Sequence, residues 1–321
     1  MKAVQFHRVG GPEVLALEDV ADPAPAAGEV LVRVRAAGVN YADVHFRKGE
    51  YFVKPRFPDV PGMEAAGVVE AVGAGVTVAK VGDRVMALHA RAYAERMVAP
   101  EARVYPMPDG LSFEDAASLP VQGLTAMHVL GAFGRLAKGE RVVVHAAAGG
   151  VGSLAVQLAK RMGASVVGTT SHASKLDAIR ALGADHAICT KDADFVHAVR
   201  ALGGADLVLE MVGGTETYKR NLACLNPFGR MVVYGAAGGE LRGTLEPVGL
   251  MTKNLTVSGY YLTRIIDRRE LCAPQMAELA QAVVAGEVRV LRGATFPLAE
   301  AADAHRALEA GGTVGKVVLV P

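Results

Sequence analysis

The sequence predicts an α/β protein in which a doubly wound parallel-sheet domain is inserted into a β-rich domain. Three observations predict it. A chain of 321 residues suits two domains of ordinary size. Hydrophobic residues make up 51% of it, with 5% aromatics and no Trp, so the apolar content is mostly Ala, Val and Leu, the composition of helices packed on buried strands. The third observation is a change of rhythm along the chain near Leu136.

Up to about residue 120, the segments 2–6, 30–39, 65–73 and 83–88 read as short strands, separated by loops with Gly and Pro at 23–29 and 54–62. No long amphipathic helix interrupts them, which predicts an antiparallel, partly closed β-domain. Beyond Leu136, strands at 141–146, 165–170, 186–190, 206–213 and 230–235 alternate with helices at 151–163, 174–183, 194–203 and 217–226. Such alternation is the signature of a doubly wound parallel sheet. In the first of these helices Val151, Leu154, Leu158 and Met162 share a face that is expected to pack on the sheet. After a strand at 255–261, the tail reads as helix 277–286, strand 288–298, short helix 300–311 and strand 316–321. These elements break the alternation, so the tail is expected to return to the first domain. The predicted domains are 1–121 plus 263–321, with 122–262 between them.

The 34 Lys and Arg nearly cancel the 33 Asp and Glu, and no run of like charge stands out, so neither nucleic acid nor an anionic membrane is expected as a partner. The start of the chain lacks an apolar signal segment, and no stretch approaches the roughly 20 apolar residues that span a bilayer; a cytoplasmic location is the default expectation. Cys189, Cys224 and Cys272 are odd in number and scattered, which fits a reducing compartment and gives no metal spacing.

Between a predicted strand and a predicted helix lies His145-Ala146-Ala147-Ala148-Gly149-Gly150-Val151-Gly152. This is where a dinucleotide fingerprint belongs, and the segment reads AxGxxG. Gly149 lets the backbone approach a pyrophosphate, Gly152 lets helix and strand pack closely, and the N–H groups at Ala148, Gly150 and Val151 lie where the helix start meets the anion. Ala147 replaces the first glycine, so the turn is expected to avoid positive φ there. About 20 residues on, where an NAD-selective site carries an acid, Gly168 to Lys175 holds no carboxylate but has Thr170, Ser171 and Lys175. A lysine at a helix start is tolerated best with an anion in front of it, and a 2′-phosphate is that anion. NADPH is therefore expected over NADH.

The turn AAAGGVG followed by SLAVQLAK, the upstream GVNYAD and VPGMEAAGVVEAVG, and the closing GKVVLVP resemble the medium-chain dehydrogenase/reductase superfamily, nearly end to end. Within it they resemble the quinone oxidoreductase and zeta-crystallin branch. The resemblance implies a groES-like catalytic domain, a Rossmann domain inserted in it, and a homodimer joined along the Rossmann sheet edge near Leu255 to Tyr261. It also implies a zinc-free site. Asn40 stands where zinc relatives carry a cysteine, Met63 where they carry a histidine, and Glu64 alone does not hold a metal.

Without a metal, hydride transfer is easiest to a quinone or enone, whose product anion is delocalised, and placing the nicotinamide against the acceptor in a dry site is much of the catalysis. Asn40 and Tyr51 match the family's usual polar positions on the substrate side, with Tyr41 beside them; Tyr51 is the candidate to hydrogen-bond a developing oxyanion or pass a proton. Gln122 and Thr125 resemble residues that reach the nicotinamide carboxamide, and Tyr234, Gly235, Ala236 and Lys316 resemble further cofactor contacts. His45 and Thr190 stand where the family often has tyrosines. The implied activity is NADPH-dependent reduction of a small-molecule quinone or enone. An enone or enal reductase is the alternative enzyme, and a crystallin-like nucleotide-binding or RNA-binding protein the alternative of another class; near-zero net charge argues against RNA.

Overall fold

The computed structural model describes residues 1–238, 240 and 243–321. The chain divides into two units, Met1–Leu124 with Thr263–Pro321, and Thr125–Leu262. The first boundary falls three residues beyond the sequence expectation, and next to it Gly123 lies close against Leu279 of the returning tail: a Cβ there would meet Leu279 Cδ2 at 2.2 Å.

Unit 1 opens with strands β1 (Lys2–Gln5), β2 (Ala16–Asp19), β3 (Glu29–Val39), β4 (Glu64–Val72), β5 (Arg84–Leu88), β6 (Arg96–Pro100) and β7 (Val104–Pro106). One short helix interrupts them, α1 (Tyr41–Arg47); α2 (Phe113–Ala116) follows, and then α3 (Pro120–Leu130), along which the chain passes from unit 1 to unit 2. The sequence rhythm shows none of the three, since the first two are under two turns long and α3 is apolar nearly all round. Unit 2 alternates β8 (Arg141–Val144), α4 (Gly150–Arg161), β9 (Ser165–Thr170), α5 (Leu176–Ala181), β10 (His186–Cys189), α6 (Phe195–Ala201), β11 (Ala205–Glu210), α7 (Thr215–Cys224) and β12 (Leu225–Val233), then α8 (Pro247–Met251) and β13 (Thr256–Gly259). The tail carries α9 (Arg269–Val284), β14 (Arg292–Pro297), α10 (Ala301–Glu309) and β15 (Lys316–Val320).

In unit 1, β14-β15-β3-β4-β5-β7 form one sheet, with β6 also on β3. Every pairing is antiparallel except β14 with β15. Its core gathers Val30, Val32 and Val34 of β3, Val85 and Ala87 of β5, and Val317 and Leu319 of the tail. The C-terminal strand thus packs into the sheet begun by the N-terminal segment. In unit 2 the order is β10-β9-β8-β11-β12-β13, all parallel. The order reverses between β8 and β11, and in sheets of this kind ligands bind outside the carboxyl ends of the strands at that point.

The face of α4 differs from the expectation. Gly152, Leu154, Ala155, Val156 and Ala159 are buried, whereas Val151 and Leu158 are half-buried and Met162 is 37% exposed. Small residues face the sheet because the helix lies close against the preceding turn: a Cβ on Gly152 would sit 2.3 Å from Ala146 O and 2.8 Å from Ala147 Cα. Both are backbone atoms, so no rotamer change relieves the clash. Gly152→Ala is therefore expected to lower stability by about 1–3 kcal/mol, read as an earlier urea midpoint; an unchanged midpoint would mean that the turn can shift freely.

Candidate functional site

In unit 1 the sequence Asn40-Tyr41-Ala42-Asp43 starts α1. Asn40 is the N-cap, with extended φ and ψ of −123° and 152°, and Asp43 Oδ2 accepts the Asn40 backbone N–H at 2.9 Å, the return half of a capping box. Asp43 Oδ2 also accepts from Tyr93 Oη at 3.0 Å. Tyr93 Oη lies 3.2 Å from His305 Nε2, and His305 Nδ1 lies 3.1 Å from Arg47 Nη1. Arginine only donates, so Nδ1 is the acceptor, Nε2 carries the proton, and the tyrosine hydrogen is left for Asp43. Burial and the Arg47 charge hold His305 down to about 3, so the ring is neutral. Burial pushes the Asp43 carboxyl up to about 7, against the pull of the Asn40 N–H, Lys316 and Tyr93.

The Asn40 side chain is equally committed. Lys316 Nζ donates to Asn40 Oδ1 at 2.7 Å and to Glu64 Oε1 at 2.5 Å, while Asn40 Nδ2 donates to Glu64 Oε1 at 2.8 Å. An ammonium has no acceptor, which fixes the orientation of the Asn40 amide. Val121 N–H donates to Glu64 Oε2 at 2.7 Å, and Gln122 Nε2 reaches Asn40 Oδ1 at 3.4 Å. Glu64 and Lys316 are 0% and 1% exposed. Burial lowers the Lys316 pKa and its partner Glu64 opposes that shift.

This donor set does not fit zinc. Three protein ligands such as Cys, His and carboxylate are needed, and the chain offers an amide, the thioether of Met63 and a carboxylate already engaged by Lys316. Tyr51 lies beyond α1, half-buried, with its backbone N–H donating to His45 O at 3.1 Å and its ring centroid 5.6 Å from that of Phe52. Gln122 and Thr125 are buried and three residues apart on α3.

In unit 2, Gly149 caps α4 without a side chain, so the first-turn N–H groups at Gly150, Val151 and Gly152 have no side-chain cap. Ala148, just before the cap, is buried. The left-handed residue of the turn is Ala146, at φ 48°, one position before Ala147, and its carbonyl accepts the Gly149 N–H at 2.8 Å. Holding an alanine there costs about 1–2 kcal/mol, strain of the kind that ligand sites retain. Ala147 N–H donates to Thr169 O at 2.9 Å, tying the turn to β9. Thr170 ends β9 and its Oγ1 accepts the His172 N–H at 3.2 Å; exposed Ser171 Oγ lies 2.9 Å from His172 Nδ1. Lys175 closes a single 3₁₀ turn ahead of α5, and burial lowers its pKa. Tyr234 follows β12, its N–H donating to Glu210 O at 2.9 Å, with Gly235 and Ala236 next to it. Its hydroxyl is buried without a partner among the described residues. A helix start capped only by a glycine and an orphaned hydroxyl suit a dinucleotide.

Sequence reasoning missed the polar residues beneath these sites: Asp43, Arg47, Tyr93 and His305 in unit 1, and Thr169, Glu210 and Asn221 in unit 2. Only the Asn-x-x-Asp spacing of 40 and 43 offered a local signal.

A dinucleotide-type parallel sheet inserted into an antiparallel β unit is the architecture of a two-domain dehydrogenase. Residues 26–109 match the alcohol dehydrogenase GroES-like domain, and residues 150–282 match the zinc-binding dehydrogenase domain. The quinone oxidoreductase of Pseudomonas aeruginosa is 38% identical, over 100% of this chain and 99% of its own length. The synaptic vesicle membrane protein VAT-1 homolog of Rattus norvegicus is 36% identical over 93% of this chain and 78% of its own. The crystal structure of Escherichia coli quinone oxidoreductase complexed with NADPH superposes with a TM-score of 0.94 at 33% identity, over 100% of both chains. The chain belongs to the medium-chain dehydrogenase/reductase superfamily, in its quinone oxidoreductase branch, and is an oxidoreductase. The zinc in the name of the matched domain does not carry over to a donor set that pairs Glu64 with Lys316.

Because the folded-state pKa of Asp43 is raised from 3.8 to about 7, its contribution to stability is fully present below pH 4 and is lost as the pH rises toward 7 and above. Both hydrogen bonds land on Oδ2, so Asp43→Asn imitates the protonated carboxyl. The variant is expected to gain stability relative to the parent between pH 4 and 8, by up to about 4 kcal/mol for a shift of three units. Parallel urea titrations of the two proteins at each pH measure it, and a constant difference across that range would refute the titration.

Proposed function

We propose that this protein is an NADPH-dependent, zinc-independent reductase that passes a hydride to quinones or related conjugated carbonyl compounds. The observation that carries this reading is the uncapped α4 start beside the switch point, followed at the end of β9 by Thr170, Ser171 and Lys175 in place of an acid. When bound, NADPH supplies the hydride. The N–H groups at Gly150 to Gly152 hold the pyrophosphate, Ser171 and Lys175 hold the 2′-phosphate, and Tyr234, Gly235 and Ala236 line the end of β12. Gln122 and Thr125 hold the nicotinamide carboxamide.

In unit 1, Lys316 and Glu64 lock Asn40 in one orientation, and Tyr51 offers a hydroxyl to the developing oxyanion. A quinone or enone yields a delocalised anion that needs little more than a hydrogen bond, whereas a simple ketone yields an alkoxide that needs a stronger acid. Lys316 reaches its Asn40 and Glu64 partners in a buried cluster and serves the site through them.

Cofactor oxidation in EDTA, with NADPH or NADH and a panel of quinones, enones, enals and simple ketones, tests this reading. NADPH-selective turnover of quinones is expected, with ketones inert. Turnover confined to enones or enals would favour the alternative reductase, and NADPH binding without any turnover a non-enzymatic role. In the same assay Lys175→Ala is expected to weaken NADPH by roughly tenfold to a hundredfold, the worth of a charged hydrogen bond of about 1.5–3 kcal/mol. Loss of NADH affinity instead would misplace the phosphate.

We also propose a cytoplasmic homodimer joined at β13, the terminal strand of its sheet, with exposed Val248 and Met251 on the neighbouring α8. Sedimentation equilibrium at micromolar concentration is expected to give twice the chain mass of 33.4 kDa; a monomer there would exclude the dimer.

A further inference from the structure

At the carboxyl ends of three adjacent strands of unit 2 lies a polar chain that the proposed chemistry does not use. His145 directly follows β8, Thr169 belongs to β9, Glu210 ends β11, and Asn221 comes from α7. Glu210 and Asn221 are 0% exposed, and His145 and Thr169 nearly so. Glu210 Oε1 accepts the backbone N–H groups of Val212 at 2.6 Å and Gly213 at 2.7 Å, and Oε2 accepts from Asn221 Nδ2. Asn221 Oδ1 lies 2.8 Å from His145 Nε2, and His145 Nδ1 lies 2.7 Å from Thr169 Oγ1.

The direction of every hydrogen in this chain follows from its end. A carboxylate only accepts, so the Asn221 amide points Nδ2 at Glu210, leaves Oδ1 for His145, and requires the proton on His145 Nε2. His145 Nε2 is also 3.9 Å from Glu210 Oε2. Four partners thus meet one another with donor facing acceptor throughout.

The location gives the chain its consequence. The strand order reverses between β8 and β11, and this chain joins the residue after β8 to the residue that ends β11. On one side it leads into the turn at Ala146 to Gly152. On the other, Glu210 holds the loop of Val212, Gly213 and Gly214, whose glycines sit at φ +87° and +90°. The backbone after β12 hangs on the same loop, with Ala237 N–H donating to Met211 O at 2.8 Å and Gly238 N–H to Val212 O at 2.7 Å.

We propose that Glu210, acting through Asn221 and His145, is a positioning residue of the dinucleotide site: a buried staple that sets the phosphate-binding turn and the loop after β11 at a fixed spacing across the switch point. The inference rests on the reading of unit 2 as the NADPH site. None of the four side chains needs to touch the cofactor. Their effect is to remove freedom from the turn that holds the pyrophosphate and, through the loop after β11, from the segment after β12 that hangs on it, so the binding energy is not spent on ordering them.

The test uses the full-length protein, with NADPH affinity measured by direct titration, acceptor KM measured at saturating NADPH, and thermal melting as the check of folding. Asn221→Asp sets a second carboxylate against Glu210 and is expected to weaken NADPH by about tenfold or more while leaving acceptor KM within about twofold. The double variant Glu210→Gln/Asn221→Asp reverses the pair: the introduced amide keeps an oxygen for the Val212 and Gly213 N–H groups and turns its NH2 to the introduced carboxylate, which still accepts from His145. It is expected to restore NADPH affinity to within about threefold of the parent. Should Asn221→Asp not fold, Glu210→Ala takes its place, with the same tenfold loss expected.

Unchanged NADPH affinity in a folded Asn221→Asp or Glu210→Ala would overturn the staple, as would equal losses in NADPH affinity and acceptor KM, or a double variant as weak as the single one. A parent protein that binds no NADPH at all would overturn the dinucleotide reading itself, and the staple with it.

Discussion

An ammonium removed from water must be met by an opposite charge, and unit 1 is organised around that requirement at Lys316. Its counter-charge, Glu64, lies 252 residues away in sequence. The two meet because β15 pairs with β3, and β3 also pairs with β4, which begins at Glu64. Removing one member of such a buried pair typically costs about 3–5 kcal/mol, since the other charge is left unanswered. Gly38, between them, has no Cβ; one there would lie 2.6 Å from Glu64 Oε1 and 2.7 Å from Lys316 Cε. The ion pair therefore links sheet closure, the orientation of Asn40 and the spare volume of a glycine into a single condition.

The same condition decides the chemistry. Glu64 Oε1 takes both Lys316 and Asn40, and Oε2 takes the Val121 N–H, so both carboxylate oxygens are already engaged by protein donors. In the neighbouring chain, burial pushes the Asp43 carboxyl up to about 7 and holds the His305 ring neutral, so both resist charge. A site with its charges cancelled this closely is suited to acceptors whose product anion is already spread over a conjugated system.

Much of this was legible in the chain. The alternation beyond Leu136 reports unit 2 because each buried parallel strand is a short apolar run and each helix repeats at its own period, both of them local properties. The glycine turn at 149–152 is local as well. Where the sequence misled, the reason was geometric: on α4 Val151, Leu154, Leu158 and Met162 suggested the packed face, and Leu154 is buried, yet the helix approaches the turn so closely that Gly152, Ala155 and Ala159 are buried in preference to the other three. Helix α1 left no periodic trace, because seven residues are too few to display one.

By itself, then, the sequence determined the two-domain α/β plan and the glycine turn between strand and helix, since each depends on residue type and short spacing, while the mismatch of Asn40 and Met63 with a zinc site was visible only through the resemblance to zinc relatives. Only the tertiary structure decided that Lys316 answers Glu64, that Asp43, Tyr93, His305 and Arg47 form one directed chain, and that Glu210 reaches His145 through Asn221. The physical reason is that a polar side chain carries no record of its partner: hydrogen bonds between residues tens to hundreds of positions apart exist only once strand pairing has brought them within about 3 Å.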